Sequence, residues 1–378
     1  MMRAQLASLV ADHEGAPGDW NDFVARCDPS HFEQTSWWAD VEAEDGWSAR
    51  YLVIRDMGRI VAGVMVLVRQ QRGVGRVGYV FRGPLIANEE AHSEQVPEHL
   101  VTSLKGFARK QGLALLVVVP PYDGAAVASA LLNAGFLRHP EALPPSSLSP
   151  GTITVDLRRD VSQIERGYRR TLRQEISRAR KEGVVVSLGT ADDLGTFWER
   201  HLQLCRRRRV ATNVPSLAYV RRVWHEFNRQ DRAWLFEARL GGEVLCSLIC
   251  LGVGRWFYAW RIGWAPDSVD AHPTQAVFAH AIRTAKEAGF HFFDFMEIHP
   301  DDVARILRGE PVRTPTAGMT FFKLGFGGSV RTFPPALDWY PNPAVRLFMR
   351  VAGARLAASG PFLKVVHQFT RSPRPDGA

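Results

Sequence analysis

The chain carries the same plan of β-structure twice, and this repeat limits the folds available to it more than any other feature. In the first half, Tyr51–Leu67 predicts two strands joined by a turn at Met57-Gly58, because the flanking residues are β-branched and glycine favours tight hairpin turns. In the second half, Trp234–Leu251 predicts a second hairpin with its turn at Gly241-Gly242. Two such hairpins indicate the duplication of a whole substructure.

Each hairpin is followed by a predicted strand, a helix and another strand. Two strands joined through a helix usually pair in parallel, so each half combines an antiparallel hairpin with a parallel return strand. Pairing Leu52 with Leu235 aligns the hairpins and places Gly58 opposite Gly241. The predicted segments are Gly78–Phe81, Glu98–Gln111 and Leu113–Val119 in the first half, and Arg255–Ile262, Thr274–Ala288 and His291–Phe295 in the second.

A hairpin, a crossover helix and a parallel return strand form the core of the acyl-CoA N-acyltransferase (GNAT) fold. The sequence therefore predicts an α/β (α+β) chain of two tandem GNAT-like domains, in which helices flank mixed sheets, without a coiled-coil insertion. A proline- and serine-rich linker, 140–149, separates the two. The predicted domains are 1–150, completed by 331–345, and 151–330, followed by a basic amphipathic helix and tail, 346–378.

The composition limits the partners and the compartment. The net charge is +8, with 47 basic and 39 acidic residues, which favours a polyanionic partner such as nucleic acid, a nucleotide-linked substrate or an acidic membrane surface. An arginine-rich genome would explain the same excess without such a partner, and both interpretations stay open. No apolar run approaches the ~20 residues of a membrane span, and the four cysteines form no CxxC pair. We therefore expect a cytoplasmic protein.

The motifs of several enzyme classes are absent from the sequence. It contains no GxSxG nucleophile elbow and no HExxH zinc motif. The nearest approach to a metal site is the group Glu297, His299, Asp301 and Asp302. These residues lie on a proline-containing stretch without helical spacing, so we expect no metal there.

Binding of CoA requires a glycine-containing loop whose N–H groups hold the pyrophosphate at the start of the crossover helix. One sequence of that type, Gln70–Gly75, joins two predicted strands, so it reads as a hairpin loop with no helix behind it. At the corresponding place in the second half, Ala265–Pro273 contains no glycine and carries Asp267 and Asp270, which would repel a diphosphate. We therefore expect neither CoA nor another cofactor.

Several short motifs resemble a known family in their order and spacing. The most specific is Gly318–Gly328, GMTFFKLGFGG, in which an aromatic–lysine pair precedes Phe-Gly-Gly. The others are Asp156-Leu157 with Arg173, Ile176, Ala179 and Gly183; Ala285 and Gly289 with Phe293-Asp294-Phe295; Gln34 with Trp38 and Trp47; and Arg82-Gly83-Pro84. Together they resemble the Fem family of aminoacyl-tRNA-dependent transferases, which add amino acids to the side chain of a peptidoglycan precursor.

The resemblance implies an aminoacyltransferase of two GNAT-like domains that uses aminoacyl-tRNA and no CoA. In this reaction an acceptor amine attacks the ester that joins an amino acid to tRNA. Because an ester is already activated, positioning and stabilisation of the oxyanion supply most of the catalysis. By the same resemblance, Lys323 would provide the positive charge and Phe322 would pack against the nucleotide end. A lysine that flanks a glycine turn for solubility is the alternative.

We expect one substrate on each half of the chain. A basic helix predicted over 164–182, which includes Arg173, and the run Arg206–Arg209 are expected to bind tRNA, although a solvated charged face would show the same pattern. The acceptor is expected on the first half. The residues to which we assign its binding are Gln34, Trp38, Arg82 and Tyr122, beside Tyr258 of the second half.

One departure from the family bears on the acceptor. Relatives commonly carry a lysine after the Gln-x-x-x-Trp segment, where it helps to bind the nucleotide-sugar diphosphate of the precursor; the corresponding residue here is Glu42. The segment Trp37–Trp47 holds four acidic residues and no basic one, so it would repel a diphosphate. The acceptor is either the peptidoglycan precursor or an amine of a peptide or natural product, and the sequence does not decide between them.

The C-terminal segment, 346–378, mixes apolar residues with Arg346, Arg350, Arg355, Lys364 and Arg371. Such a segment can contact an acidic membrane, which would place the protein at the inner membrane face. It can also dock as a helix on the first half. We favour docking, because Leu347, Phe348 and Val351 suit burial.

Two other functions fit the same fold. The first is a CoA-dependent N-acyltransferase that modifies a polysaccharide or a metabolite. The second is a GNAT-like binding module without catalytic activity. Binding of CoA would distinguish the first from an aminoacyltransferase, and turnover of a charged tRNA would exclude the second.

Overall fold

The computed structural model describes residues 10–87, 95–140, 150–212, 214–265, 270–312 and 318–357, with the side chains of all of these except 354–357. The chain divides into two compact units: Met1–Ser149 with Phe333–Ala378, here unit 1, and Pro150–Thr332, here unit 2. The predicted linker, 140–149, lies outside the described residues except for its first residue.

Unit 1 combines a mixed β-sheet with helices. Its described elements are β1 (Val10–His13), α1 (Trp20–Arg26), α2 (Ser36–Ala43), β2 (Ser48–Asp56), β3 (Arg59–Gln71), β4 (Gly75–Phe81), β5 (Leu85–Ile86), α3 (Gln95–Lys110), β6 (Leu115–Val119), α4 (Ala125–Asn133), β7 (Leu137–Arg138), β15 (Leu337–Trp339) and α12 (Pro343–Ala357). The strands lie in the order β1-β2-β3-β4-β6-β15-β7, with β5 beside β3. β4 and β6 are parallel, and apolar residues of β2, β3, α3, α4 and β15 form the core beside them.

Unit 2 also contains a mixed β-sheet, and more of its described elements are helices than in unit 1. Its described elements are β8 (Gly151–Asp156), α5 (Val161–Arg166), α6 (Arg170–Lys181), β9 (Val185–Leu188), α7 (Leu194–Arg208), α8 (Leu217–Asn228), β10 (Ala233–Leu240), β11 (Glu243–Val253), β12 (Trp256–Trp264), α9 (Pro273–Glu287), β13 (Phe292–Glu297), α10 (Pro300–Leu307), α11 (Gly318–Leu324) and β14 (Ser329–Thr332). The strands lie in the order β14-β8-β13-β12-β11-β10-β9, and β12 and β13 are parallel.

The two units repeat one plan, which confirms the predicted fold of two tandem GNAT-like substructures. A hairpin, a strand, a helix and a parallel return strand follow one another as β2-β3-β4-α3-β6 and as β10-β11-β12-α9-β13. Both hairpin turns have positive φ at both central residues, +45° and +81° at Met57-Gly58 and +57° and +88° at Gly241-Gly242. This geometry matches the twist of antiparallel strands.

The structure corrects the alignment of the two hairpins by one residue. Each hairpin has a β-bulge at the same distance from its turn, after Ile54 in unit 1 and after Ala238 in unit 2. Leu52 is therefore equivalent to Phe236, and both lie in the core of their unit. Leu235 points the other way, because successive strand residues face opposite sides of a sheet and a slip of one residue exchanges the two faces.

The basic helix predicted over 164–182 is two helices, α5 and α6, with a short break between them. The break accommodates the glycine loop that follows α11, since a Cβ on Gly327 would lie 2.7 Å from the carbonyl oxygen of Gly167. The backbone N–H of Arg169 donates to the carbonyl of Gly325 at 2.7 Å. A tertiary contact thus replaces the hydrogen bond that a continuous helix would have made.

α12 exposes the apolar residues that we expected to be buried. Leu347, Phe348 and Val351 are 62%, 55% and 76% exposed, so the expectation that they dock on the first half is wrong. The opposite side of the helix is held by Arg346, whose guanidinium donates to the carbonyl of Tyr340 at 3.0 Å. The side chains of Arg355, Lys364 and Arg371 lie outside the described part of the chain.

Candidate active site

A cavity opens in unit 2 where its two parallel strands move apart. The pairing of β12 with β13 joins Trp256–Tyr258 to Phe292–Asp294, whereas β12 continues to Trp264 and β13 to Glu297. Beyond the paired residues, the two strands line a cavity of about 320 Å³, here the wedge cavity. Its described lining also includes residues of α7, α9 and α11, Leu248 of β11, and Val210 and Ala211 after α7.

A bulge at the end of β13 shapes this opening. Opposite β8, Asp294 pairs with Thr154 and Glu297 with Thr152, so β13 holds one residue more than its partner. Met296 takes a φ of +61°, a conformation that costs on the order of 1–3 kcal/mol outside glycine. Oδ1 of Asp294 stabilises the bulge by accepting hydrogen bonds from the N–H of Met296 (2.6 Å) and the hydroxyl of Thr152 (2.5 Å).

Lys323 of α11 donates hydrogen bonds to two backbone carbonyl groups of the bulge, those of Met296 and Glu297. Nζ donates to the carbonyl oxygens of Glu297 (2.6 Å) and Met296 (3.4 Å); among the residues that the structure describes, these acceptors leave one of the three ammonium N–H groups for a ligand. The side chain is 7% exposed and lines the wedge cavity. Burial lowers the pKa of Lys323 to about 8, against the opposing charges of Asp294 and Glu297. At pH 7 the amine is therefore still mainly protonated.

The short helix α11 is anchored by contacts on either side of Lys323. The hydroxyl of Thr320 donates to Oδ2 of the buried Asp302 at 2.5 Å. The ring of Phe322 packs edge-on against Phe278, with 5.5 Å between ring centroids. The aromatic–lysine motif therefore forms one anchored turn that carries the ring of Phe322 and the ammonium group of Lys323 into the lining of one cavity.

A second cavity, of about 240 Å³, shares Lys323 and Arg208 with the first. This helix cavity is bounded by the first residues of α9, Pro273–Gln275, and by the rings of Trp264 and Phe322. The N–H groups in the first turn of a helix have no partner within the helix and attract anions. These N–H groups and the cations Arg208 and Lys323 suit an anionic group, and the two aromatic rings suit a flat ring system attached to it.

The wedge cavity is also lined by His201, Trp260 and Arg261, which were not predicted from the sequence. A signal for His201 existed, because His201 and Cys205 lie four residues apart and share one face of a helix. α7 can approach β12 closely because Gly263 has no side chain: a Cβ there would lie 2.5 Å from the backbone nitrogen of His201. The β12 residues carried no such signal, since Trp-Arg within an apolar strand is typical of ordinary core structure.

In unit 1, Arg82 and Tyr122 come together just beyond the ends of the parallel strands β4 and β6. The guanidinium of Arg82 lies 3.4 Å from the ring centroid of Phe333, and the ring of Tyr122 lies 5.2 Å from it. Burial, helped by the charge of Arg82, holds the pKa of the neighbouring His31 well below its usual value. Within the described part of the chain, Nη1 of Arg82 is buried without a hydrogen-bond partner, which costs about 1–3 kcal/mol until an acceptor binds.

Gln34 and Trp38 make structural contacts. Gln34 is fully buried; its Nε2 donates to the carbonyl of Phe81 at 2.7 Å and its Oε1 accepts from the N–H of Met65 at 2.9 Å. The amide thus joins two strands and has no surface left for a substrate. Trp38 is partly exposed on α2, and its ring packs edge-on against Phe32 at 5.1 Å.

Three predicted residues of unit 2 lie outside the described lining of both cavities. Arg173 is exposed on α6. Arg209 is exposed directly after α7 with a φ of +54°, and Arg208, one residue earlier, lines both cavities instead. Tyr258 is buried on β12, where its ring stacks beside Trp256 at 6.3 Å.

Among the described residues, no group of three or more His, Cys, Asp or Glu side chains could hold a metal ion. Two members of the sequence cluster have structural roles, since His299 accepts from the N–H of Asp301 at the start of α10 and Asp302 anchors α11. The antiparallel pair Gln71 and Gly75 confirms that 70–75 is a hairpin loop. Of the loop 265–273, residues 266–269 lie outside the described part of the chain.

Two family models match the chain. The FemAB family model matches residues 17–130, and an acetyltransferase (GNAT) domain model matches residues 166–302. Residues 17–130 are therefore similar to the Fem family, and residues 166–302 are similar to a GNAT acyltransferase domain. The two matches indicate an acyltransferase and confirm the resemblance drawn from the motifs. None of the helices in the described ranges combines the length and the hydrophobicity that a membrane span requires.

Several solved structures have the same fold as this chain. FemX superposes with a TM-score of 0.76 at 15% identity, over 90% of this chain and 99% of that one. L-PGS from Bacillus licheniformis superposes with a TM-score of 0.55 at 12% identity, over 95% of this chain and 99% of that one. The C-terminal domain of a putative lysylphosphatidylglycerol synthetase from Agrobacterium fabrum superposes with a TM-score of 0.53 at 14% identity, over 89% of this chain and 96% of that one. No curated protein matches the sequence.

Proposed function

We propose that this protein is an aminoacyltransferase that moves an amino acid from aminoacyl-tRNA to an amine and forms an amide bond. The observation that carries the proposal is the buried ammonium of Lys323, held by two carbonyl groups where the two cavities meet. A preorganised cation of this kind stabilises the oxyanion of acyl transfer. The similarity of residues 17–130 to the Fem family and the likeness in fold to FemX and to a putative lysylphosphatidylglycerol synthetase support it.

The two cavities suit the two parts of the donor. The terminal nucleotide would enter the helix cavity, where Trp264 and Phe322 offer flat apolar surfaces and Arg208 meets a phosphate. The ester would then lie beside Lys323, and the amino-acid side chain would fill the wedge cavity. The free N–H of Lys323 would donate to the ester carbonyl as it becomes an oxyanion. A donor in this role typically supplies a factor of about 10²–10³ in rate.

The rest of the tRNA would bind the basic surface of unit 2. Arg206, Arg207 and Arg209 are exposed at the end of α7, next to Arg208 of the cavities. Arg173 is exposed on α6. Phosphate contacts through arginines release counterions, so affinity for tRNA is expected to fall steeply with salt.

The acceptor would bind unit 1, with Arg82 as an anchor for one carboxylate or phosphate. Its buried Nη1 lacks a hydrogen-bond partner among the described residues, and a single guanidinium can bind an anion through two hydrogen bonds. The acidic segment around Glu42 would disfavour a diphosphate. We therefore expect weak calorimetric binding of the nucleotide-linked peptidoglycan precursor, and stronger binding by Glu42→Lys. Tight binding by the wild-type protein would restore the plain cell-wall assignment.

CoA is not expected to be a substrate. The loop before α9 contains no glycine with which its backbone could wrap a pyrophosphate, and Asp270, close to the start of the helix, would repel the charges of a diphosphate more strongly than that of a single phosphate. A thermal-shift titration with CoA and acetyl-CoA tests this directly. A rise in melting temperature would favour the rival assignment, a CoA-dependent N-acyltransferase.

α12 would contact an anionic membrane surface. Its exposed Leu347, Phe348 and Val351 form one apolar stripe, Arg350 flanks it, and the sequence beyond is basic. A helix of this pattern lies in the bilayer interface and prefers anionic lipids. Cosedimentation with phosphatidylglycerol-containing vesicles is expected, and should be lost in Phe348→Glu and with phosphatidylcholine alone. Equal binding to both lipids, or a dimer that Phe348→Glu dissociates, would contradict the membrane assignment.

The reaction itself is tested by incubating the protein with a pool of charged tRNAs and a cell extract. New amides are sought by mass spectrometry, with uncharged tRNA as the control. Amides that appear with charged tRNA alone would support the proposal. Acyl transfer that requires acetyl-CoA and no tRNA would refute it.

A further inference from the structure

His201 is held in one orientation against the wall of the wedge cavity. Its Nδ1 lies 2.8 Å from the carbonyl oxygen of Ile262 on β12. Because a carbonyl can accept but not donate, Nδ1 carries the hydrogen and Nε2 carries the lone pair. The ring also stacks on Phe197 and Trp198, with centroids 5.9 Å and 5.8 Å away. The imidazole is therefore a positioned base with a defined tautomer.

Of the described residues near Nε2, the thiol of Cys205 is the one that donates to its lone pair, and it donates weakly. The thiol of Cys205 lies 3.7 Å from Nε2, and burial raises the pKa of that thiol, so it stays protonated. The hydroxyl of Thr212 lies 3.5 Å from Nε2, but it has a closer acceptor, the carbonyl of Val214 at 2.6 Å. A stronger donor that entered the wedge cavity would displace the thiol, because an S–H group donates weakly.

His201 and Lys323 line the same cavity from different elements, α7 and α11. Gly263 lets α7 pack directly on β12, and Asp302 anchors α11. A reacting ester in this cavity would therefore meet a cation and a neutral base that both belong to its lining.

We propose that His201 is the proton acceptor of the transfer reaction, a role that rests on the proposed function. The acceptor amine attacks the ester carbon, a C–N bond forms and the C–O bond to the ribose breaks. Nε2 takes the proton that the nitrogen loses and delivers it to the departing ribose oxygen. The products are an amide and a free hydroxyl, so atoms and charge balance without a further reactant.

The charge states of the two groups fit these roles. Burial lowers the pKa of His201, with Arg261 on β12 acting in the same sense and the bond to Ile262 opposing it. Lys323 faces Asp294 and Glu297 on β13 together with two arginines, and its pKa of about 8 keeps it charged at neutrality. The rate should therefore rise as His201 deprotonates below pH 6.5 and fall as Lys323 deprotonates near pH 8.

The test is His201→Asn with matched controls. The asparagine amide can still donate to the carbonyl of Ile262 but offers no base at the position of Nε2. We expect kcat to fall by about 10²-fold or more, the acid limb of the pH–rate profile to disappear, and the KM for aminoacyl-tRNA to stay within about twofold. His280→Asn is the control, because His280 is a half-buried helical histidine whose pKa is also lowered by burial and which does not line the cavity.

Two results would overturn this role. One is a His201→Asn variant with near wild-type kcat, and the other is a slow variant that keeps the acid limb. If the variant does not fold, the wild-type profile decides, and a rate that stays flat below pH 6.5 contradicts the proposal. Wild-type protein that makes no amide from any charged tRNA would refute the proposed function instead, so the two failures are distinguishable.

Discussion

Replacement of Lys323 by methionine should abolish most of the activity and spare the fold. Methionine keeps the length and the apolar stem of the side chain but removes the ammonium group. We expect the rate of amide formation to fall by about 10²-fold, the usual consequence of losing one oxyanion donor. A lower rate reports on catalysis only if the variant stays folded, and the contacts of Lys323 determine how much stability changes.

Two contributions to stability oppose each other at this position. Burial lowers the pKa of Lys323 from 10.5 to about 8, which corresponds to about 3 kcal/mol against the charged form. The substitution removes that cost. It also leaves the carbonyls of Glu297 and Met296 without their donor, which costs about 1–3 kcal/mol for each group that stays unsatisfied. With both carbonyls unsatisfied, the net change in the free energy of unfolding should therefore lie between a gain of about 1 and a loss of about 3 kcal/mol.

The assay is single-turnover amide formation with a saturating charged tRNA, alongside a urea denaturation curve for each protein. Lys286→Met is the matched control, because Lys286 lies in the last turn of α9 and lines neither cavity. The control should retain wild-type turnover. A folded Lys323→Met protein within about threefold of wild-type turnover would remove Lys323 from the mechanism, because a lost oxyanion donor costs far more.

Three further predictions follow from the same region. Gly263→Ala should lower the melting temperature, because its Cβ would lie 2.5 Å from a backbone nitrogen of α7, whereas Gly195→Ala within α7 meets nothing within 4 Å and should be neutral or stabilising. Burial lowers the pKa of Lys323 in the folded protein to about 8, from 10.5, so the unfolded chain binds more protons between these two pH values. In denaturant titrations, the stability of the wild-type protein relative to Lys323→Met should therefore rise by about 2 kcal/mol from pH 8 to pH 10. This gain should be lost when the pH is lowered again through 8. Affinity for tRNA should drop by about 10³-fold between 50 and 200 mM salt if six phosphates are contacted. The double variant Arg206→Gln, Arg207→Gln should show a weaker dependence on salt. An affinity that does not change with salt would contradict tRNA binding by this basic surface.

The repeated plan and the motif around Lys323 were accessible from the sequence alone. The turns at Met57-Gly58 and Gly241-Gly242 and the strand–helix–strand order depend on neighbours in the chain, because turn residues and alternation of apolar residues act over a few positions. The same is true of Gly318–Gly328, in which glycines and aromatic residues single out one of only six lysines. These features determined the fold class and one residue of the candidate site.

Tertiary contacts decided the rest. The equivalence of Leu52 with Phe236 depends on two bulges, and the break between α5 and α6 depends on a loop that lies far away in the sequence. His201 reaches the wedge cavity because Gly263, 62 residues later, leaves room for α7. Whether an apolar residue such as Phe348 is buried depends likewise on which surface it meets. Such contacts join residues distant in sequence, so local pattern cannot specify them.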